Sequence, residues 1–501
     1  MQTLQIHYAD GNYQFAKLIR EKSQLPDSAY EDIGSLRYLS AQNDLKAMGL
    51  LANKYEKRQR YLLAEKLYFK ILNQAQTIAD IKLARQSILV LYEKQHKWSK
   101  IKGFLDPQDS PEWHYLSQLH NSLPLSVVPL GEHYEDINHN ILKMGIDFDI
   151  NEKQLNITAC KINIVPIASS YTGLMQAISV VKDFNTHVYL SSLPVCFSKP
   201  LYIEKSKLKC FTAINKTISC DLTHLATSKD WPKGIRHLMI IADKGKANVN
   251  QGVMYLAQNS DFTVFQHEFM HFFGFEDEYK LSQFKQKKRC KLTALNLQRS
   301  QLTLMQKGEV NLQGFNSVPS CSGTNVNAYK TVSELTLMQY LDKTFPVSYQ
   351  KKLNLNIKHH LGDFPVFTMA FSKYAQTHYW YQYAANLGFK GALLQLALIY
   401  EAKGEIPLAI NHLKKANDWP LAQSHLARIF YEKSEFKKAR AYYLDASNSA
   451  SDSFAQYFYG KMLLNGIGGK ADKKVAMRYL KLSAAQNNPL AVQYLNNKEL
   501  L

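Results

Sequence analysis

The segment HEFMHFFGFEDEY at residues 267–279 carries the pattern His-Glu-x-x-His-x-x-Gly-x-x-Asp. On a helix, His267 and His271 lie one turn apart on the same face, a spacing at which two imidazoles can bind one metal ion. Gly274 can adopt a positive φ, end the helix and reverse the chain. That reversal would bring Asp277 back towards the two histidines as a third ligand.

Two further carboxylates belong to this pattern. Glu268 follows the first histidine, where it can accept a proton from a metal-bound water. Glu278 follows the same turn as Asp277, so either carboxylate can serve as the third ligand, and we choose Asp277. Two histidines and one carboxylate leave a fourth position open, which is a ligand set of catalytic Zn²⁺ sites. The sequence therefore predicts a zinc centre with Glu268 as its general base.

Three segments resemble the immunoglobulin-A peptidase family of metallopeptidases. The zinc motif ends in Asp-Glu-Tyr, as the motif of that family does. INIVPIASSYT at 162–172 is similar to the opening strand and turn of the family, and MQYLDKTFPVSYQKKL at 338–353 is similar to its methionine-containing segment. Met270 stands where the family usually has glycine, and FPVS replaces its cysteine-containing sequence. The resemblance covers residues 155–355.

This resemblance implies a metzincin-like zinc peptidase domain that hydrolyses peptide bonds of protein substrates. The two histidines and the aspartate named above would bind Zn²⁺, and Glu268 would carry the proton. Met338 would lie in the methionine turn beneath the metal. Tyr340, two residues later, would stabilise the tetrahedral oxyanion.

Apolar runs before the motif indicate the strands of this α/β domain. KINIVPI at 161–167, HVYLSSL at 187–193 and HLMIIAD at 237–243 are typical of short strands, and a helix is expected around 172–184. In metzincins an edge strand binds the substrate backbone, and GVMYLAQ at 252–258 is the candidate for that strand.

Small residues recur at fixed distances on both sides of the central region. C-terminal helical units begin at four alanines spaced by 30, 33 and 36 residues: Ala392, Ala422, Ala455 and Ala491. In the N-terminal part, Ala47 and Ala64 show the 17-residue separation that also occurs within the C-terminal units. These patterns resemble tetratricopeptide repeats, and residues 459–485 resemble the related Sel-like repeat. Stacked helix pairs bury a core and offer a surface for a protein partner.

The predicted fold class is multidomain α+β, with a central α/β zinc peptidase domain flanked by α-solenoid regions. Tetratricopeptide-like repeats would occupy residues 1–121 and a linker 122–154. The peptidase domain would occupy 155–355, and the tetratricopeptide- or Sel-like repeats 365–501. A length of 501 residues fits several domains.

Six cysteines lie between residues 160 and 321, and none lies outside that window. An even number in one domain is typical of an exported, disulfide-bonded enzyme, whereas six buried thiols would fit the cytoplasm. Among the open pairings we single out Cys290–Cys321, because it encloses the loop between the zinc helix and the methionine segment. Residues 1–20 lack the apolar core of a signal peptide. We expect a secreted or periplasmic protein with a processed N terminus and leave a cytoplasmic location open.

The chain carries 61 basic and 42 acidic residues, a net charge of +19 that is spread along its length. Residues 280–291, KLSQFKQKKRCK, hold six basic residues and are either a rim that attracts acidic groups or a solvated loop. No RNA-binding motif or recognition helix accompanies the charge, so no nucleic acid partner is expected. No stretch approaches about 18 consecutive apolar residues, so no transmembrane segment is expected.

The function expected from these features is that of a zinc-dependent metalloendopeptidase whose helical repeats bind a substrate or partner protein. The alternative is a non-catalytic repeat scaffold with a degenerate zinc peptidase domain.

Overall fold

The computed structural model describes residues 33–110, 113–114, 116–117, 160–448 and 452–499, apart from 199, 204, 214, 228–230, 232–233, 291–293 and 302–313. The expected linker at 122–154 lies outside these residues. The chain divides into two compact units, one of residues 1–149 with 170–175 and one of residues 150–169 with 176–501. Within the described part, no helix has both the length and the apolar character needed to cross a membrane.

The described part of the first unit contains successive short helices. Their bounds are α1 Ile33–Ala41, α2 Leu45–Lys57, α3 Tyr61–Gln74, α4 Ile78–Lys94 and α5 Trp98–Phe104. Ala47 on α2 and Ala64 on α3 are completely buried, as is Ala52. Alanines at these points let neighbouring helices pack closely, which is the packing of helical repeats. The prediction of a repeat in this region is confirmed.

A mixed sheet forms the centre of the second unit. Its strands are β1 Ile162–Ala168, β2 Val195–Phe197, β3 Leu201–Tyr202, β6 Ile235–Ala242, β7 Asn248–Asn250 and β8 Val253–Ala257, with helix α6 Tyr171–Thr186 after β1. The order is β2-β1-β6-β8-β7, with β3 also on β1. All neighbours are parallel except β7 and β8. The long apolar runs of β1 and β6 are typical of strands buried on both faces. The strands expected at 161–167 and 237–243, and the helix around 172–184, are confirmed.

Smaller elements complete this region. They are β4 Cys210–Phe211, β5 Ser219–Cys220, α7 Thr223–Thr227, α8 Phe262–His271, α9 Gln283–Arg289, β9 Leu297–Gln301, β10 Asn316–Val318, β11 Val326–Lys330, α10 Val347–His359 and α11 Thr368–Phe371. Three disulfides join Cys160 to Cys196, Cys210 to Cys220 and Cys290 to Cys321. The pairing Cys290–Cys321 was predicted from the sequence and is confirmed.

The strand expected at 187–193 is wrong. Residues 190–192 form a short 3₁₀ turn four residues after the end of α6 at Thr186. The ring nitrogen Nδ1 of His187 accepts hydrogen bonds from the backbone N–H groups of Tyr189 and Leu190, each at 3.2 Å. The Ser191 hydroxyl donates to the His187 carbonyl at 2.8 Å. These local side-chain bonds compete with strand pairing and hold the backbone in a turn.

The assignment of 252–258 as an edge strand is also wrong. Strand β8 lies inside the sheet, between β6 and β7, and β7 is the edge. The two strands form a hairpin through Gln251 and Gly252, whose φ angles are 49° and 78°. Positive φ at both positions is what a tight two-residue hairpin turn of this twist requires. The turn lets β7 fold back onto the side of β8 that would otherwise be free.

Paired helices form the C-terminal part of the second unit. Their bounds are α12 Thr377–Asn386, α13 Lys390–Ala402, α14 Ile406–Lys415, α15 Pro420–Glu432, α16 Phe436–Ser447, α17 Ser453–Leu464, α18 Lys473–Ala485 and α19 Pro489–Glu499. The four alanines that open the predicted units are completely buried. Nine alanines belong to the continuous core of this part, with leucines and aromatic residues between them. The predicted C-terminal helical repeats are confirmed.

Residues 361–387 pack against the central sheet. Arg236 on β6 is buried, and its guanidinium donates to the carbonyls of Leu387 at 2.9 Å and Leu361 at 2.8 Å. The backbone N–H of Phe367 donates to the Arg236 carbonyl at 2.9 Å. Trp380 Nε1 donates to the carbonyl of Ala226 at 3.0 Å. The first helices after position 365 therefore contribute to the packing around the sheet.

Candidate metal centre

Helix α8 positions the two histidines. Phe265 and Phe269 are completely buried on its apolar face and anchor it against the domain core. The helix ends at His271, and Gly274 has φ +78°. The backbone N–H of Phe275 then donates to the carbonyl of Met270 at 3.4 Å, a bond typical of a helix that stops at a left-handed glycine. The chain reverses here, as the sequence predicts.

The reversal brings Asp277 to the histidines. Its Oδ1 lies 3.1 Å from His267 Nε2 and 3.2 Å from His271 Nε2. One ligand atom from each of the three residues lies within 4.8 Å of the others. Within the described part of the chain, this is the one group of three such residues close enough to hold a metal ion.

The second nitrogen of each imidazole is anchored to the backbone. His267 Nδ1 lies 2.9 Å from the carbonyl of Leu337, and His271 Nδ1 lies 2.7 Å from that of Phe275. A carbonyl oxygen only accepts, so both Nδ1 atoms carry hydrogen and donate. This arrangement directs both Nε2 atoms at Asp277. Metal-binding histidines are commonly held in this way, by a hydrogen bond from the ring nitrogen that does not bind the metal.

The electrostatics of the group indicate that it needs a positive charge. Two Nε2 lone pairs and a carboxylate oxygen would converge with no proton between them if both imidazoles were neutral. Burial alone would lower the pKa of His271, but the charges and hydrogen bond of Asp277, with Glu268 adding to them, raise it to about 9. Burial would raise the pKa of Asp277, yet the two histidines hold it well below its usual range. A proton or a cation satisfies the three atoms, and two imidazoles with one carboxylate suit Zn²⁺.

Glu268 lies beside this group. It is buried, and burial raises the pKa of its carboxyl above the usual range. Glu268 and His267 line a cleft of about 410 Å³. A carboxylate with a raised pKa at the wall of a cleft is suited to accept and return a proton.

Glu278 belongs to a separate buried network. Its Oε1 accepts from Tyr349 at 2.8 Å and from the Asn296 amide at 2.9 Å. Its Oε2 accepts from the Thr336 hydroxyl at 2.7 Å and lies 3.3 Å from the ammonium of Lys330. Both oxygens are therefore occupied away from the histidines. Between the two carboxylates that the sequence left open, the structure brings Asp277 to the imidazoles.

The segment around Met338 supports the centre through its backbone. Met338 is completely buried, and its carbonyl accepts from the Glu278 N–H at 2.9 Å. The carbonyl before it, of Leu337, holds His267. Tyr340 is half exposed, and the cleft is lined by its neighbours Gln339 and Leu341 and not by Tyr340 itself.

Tyr279 is the tyrosine next to the histidines, and the sequence analysis gave it no role. It lines the cleft, and its ring lies 6.2 Å from the His267 ring at an angle of 23°. Burial, followed by the charge of Asp277 and a hydrogen bond to it, raises the pKa of the Tyr279 hydroxyl. The signal for Tyr279 was its position two residues after Asp277, on the same returning segment.

Comparisons with known proteins find helical repeat proteins. No family model matches the sequence, and no curated protein matches it. Among solved structures, a Sel1 repeat protein from Oxalobacter formigenes is 24% identical over 23% of this chain and 95% of its own, with a TM-score of 0.22. A protective antigen present in uropathogenic Escherichia coli strains, described as displaying an SLR fold, is 13% identical over 92% of this chain and 80% of its own, with a TM-score of 0.23. Superpositions at this level do not establish a shared overall fold. The helical repeats of this mostly helical chain are visible in its own helix pairs.

Proposed function

We propose that the protein is a zinc-dependent metallopeptidase that cleaves peptide bonds in protein substrates. The observation that carries the proposal is the convergence of His267 Nε2, His271 Nε2 and Asp277 Oδ1, with both Nδ1 atoms held by backbone carbonyls. Glu268 at the wall of the adjoining cleft supplies the general base that such a site needs. The resemblance of the motif to immunoglobulin-A peptidases supports a metzincin-like domain.

The chemistry divides between the metal and the side chains. Zn²⁺ bound at this site would polarise the scissile carbonyl and lower the pKa of a water to about 7. Glu268 accepts the proton of the attacking water and returns it to the leaving amine. Burial raises the pKa of its carboxyl, which helps it to hold the proton between these two steps. An extended peptide would reach Glu268 along the cleft wall formed by residues 245–247, directly before the edge strand β7.

Two tyrosines are candidates for stabilising the oxyanion. Tyr340 has the sequence position implied by the resemblance, whereas Tyr279 lines the cleft beside His267. We favour Tyr279, since its hydroxyl already interacts with Asp277 at the edge of the site. Tyr279→Phe should lower kcat more than Tyr340→Phe does, and the reverse order would restore Tyr340 to this role.

The rest of the chain suggests where the enzyme works and on what. Three disulfides favour an oxidising compartment, so we propose a secreted or periplasmic location. The flanking repeats would bind the protein substrate or a partner protein, because stacked helix pairs provide extended binding surfaces.

A second candidate is a non-catalytic repeat scaffold whose metal site is only structural. The extent of the repeats favours it, since helix pairs occupy most of the described residues outside 160–360. Metal analysis and hydrolysis of a mixed peptide pool, on wild type and Asp277→Ala, separate the two. The peptidase predicts about one zinc per chain and cleavage in wild type, and loss of both in the variant. Zinc without any cleavage in wild type would favour the scaffold.

A further inference from the structure

The cleft beside Glu268 has a cationic group on its wall. Lys246 is the only lysine or arginine among the described residues that line this cleft. Its side chain is exposed, and none of the described carboxylates forms an ion pair with it. Asp261, which also lines the cleft, lies directly before α8, where the helix dipole stabilises a carboxylate. The ammonium of Lys246 is therefore available to a ligand in the cleft.

The backbone of Lys246 is fixed by hydrogen bonds to residues 216 and 218. Its N–H donates to the Lys216 carbonyl at 2.7 Å, and its carbonyl accepts from the Ile218 N–H at 3.0 Å. Gly245 precedes it with φ +130°, and a Cβ there would lie 2.6 Å from the Ile218 side chain. The position of Lys246 is therefore set by a short parallel bridge and by a glycine that permits close approach.

The side chain of Lys246 extends towards the metal centre. Its Nζ lies 5.6 Å from the centre of the Tyr279 ring, within the range of a cation–π contact. The Tyr279 ring in turn lies 6.2 Å from the ring of His267. Because an extended chain advances about 3.3 Å per residue, a substrate residue one to three positions from the scissile bond would reach this ammonium.

We propose that Lys246 selects peptide substrates that carry an aspartate or glutamate within three residues of the scissile bond. This inference rests on the proposed peptidase function and names its substrate class. The carboxylate would pair with the ammonium at the rim of the cleft while Tyr279 holds the lysine side chain in place.

The test uses the zinc-loaded protein and a set of peptides in which one glutamate is moved through the sequence, each with a glutamine counterpart. At one or two positions, kcat/KM for the glutamate peptide should exceed that of its counterpart by about fivefold in low salt, the upper range of an exposed ion pair. The preference should weaken as salt screens the pair. Lys246→Met should abolish it, and Lys246→Glu should reverse it, so that the glutamine peptides become the better substrates.

Lys244→Glu is the matched control, because it makes the same charge change two residues away, outside the cleft lining. It should leave the preference unchanged. Equal kcat/KM for glutamate and glutamine peptides, or equal effects of the Lys244 and Lys246 variants, would overturn the inference while leaving the peptidase intact.

Binding gives a second readout that does not need turnover. Fluorescence anisotropy of the same peptides, labelled, on Glu268→Ala should show tighter binding of the glutamate form, and Lys246→Met in that background should remove the difference. If wild type cleaves no peptide, the proposed function fails, and this binding ratio alone supports or overturns the role of Lys246.

Discussion

Replacing Glu278 tests whether the returning segment is held by its buried network. The carboxylate is fully buried and bonded to Tyr349, Asn296 and Thr336, with Lys330 at 3.3 Å. Removing one partner of a buried ion pair costs about 3–5 kcal/mol, and each neutral donor left without an acceptor adds about 1–3 kcal/mol before relaxation. Against a typical total stability of about 5–15 kcal/mol, Glu278→Ala would approach unfolding.

Glu278→Gln is therefore the useful perturbation. Its amide oxygen can still accept two hydrogen bonds, but its NH₂ group would face the Lys330 ammonium, so we expect a loss of about 2–3 kcal/mol. Adding Lys330→Met removes the stranded charge and should recover about 2 kcal/mol of that loss. Urea unfolding of the four proteins in a double-mutant cycle measures the coupling. Because the network faces away from the histidines, folded Glu278→Gln should keep its zinc.

Two results would refute this reasoning. Additive single and double variants, within about 0.5 kcal/mol, would show that Glu278 and Lys330 do not stabilise each other. Loss of zinc from folded Glu278→Gln with retention in Asp277→Asn would move the ligand assignment by one residue.

Three further predictions concern the metal-free centre, the hairpin and the repeats. The raised pKa of His271 contributes stability that is fully present below pH about 6.5 and is lost as the pH rises to about 9. Without metal, His271 therefore carries a proton near pH 7.5, and zinc binding there should release about one proton. Calorimetry in buffers of different ionisation enthalpy measures this release. Gly252→Ala should lower the unfolding free energy by about 2–4 kcal/mol, because the new Cβ would overlap backbone atoms of residues 366–367 and φ is +78°. Gly49→Ala is the control, since Gly49 lies in a helix with open space around it, and this change should raise the unfolding free energy by about 0.5–1 kcal/mol. Deletion of 405–501 should preserve folding and zinc binding, measured by circular dichroism and metal analysis. Deletion of 365–501 should not, since it removes the packing of residues 365–387 on the sheet.

The local part of the candidate metal centre could be predicted from the sequence. The spacing of His267 and His271 is fixed by helix geometry, and the turn at Gly274 follows from the freedom of glycine to adopt a positive φ. The buried alanines of the repeats were likewise visible, because their spacing is a property of neighbouring helices. These features depend on residues close together in the chain.

The remaining features depend on distant contacts. The hydrogen bond from His267 to the Leu337 carbonyl joins residues 70 positions apart, and no sequence pattern in either segment predicts it. The network that occupies Glu278 includes Tyr349, 71 residues away, so the choice between the two carboxylates needed the structure. The prediction of a strand at 187–193 failed for a local reason. The apolar residues suggested a strand, but the His187 side chain accepts hydrogen bonds from the backbone two and three residues later.

The most direct test of the proposed zinc peptidase is hydrolysis by wild type and Glu268→Ala at matched zinc content. Glu268 is absent from the group proposed to bind the metal, so the variant should keep about one zinc per chain if the wild type binds one. Because it lacks the proton carrier, its kcat/KM on a peptide that wild type cleaves should fall by about 10²–10⁴-fold. Full activity in Glu268→Ala with zinc still bound would contradict catalysis at this site.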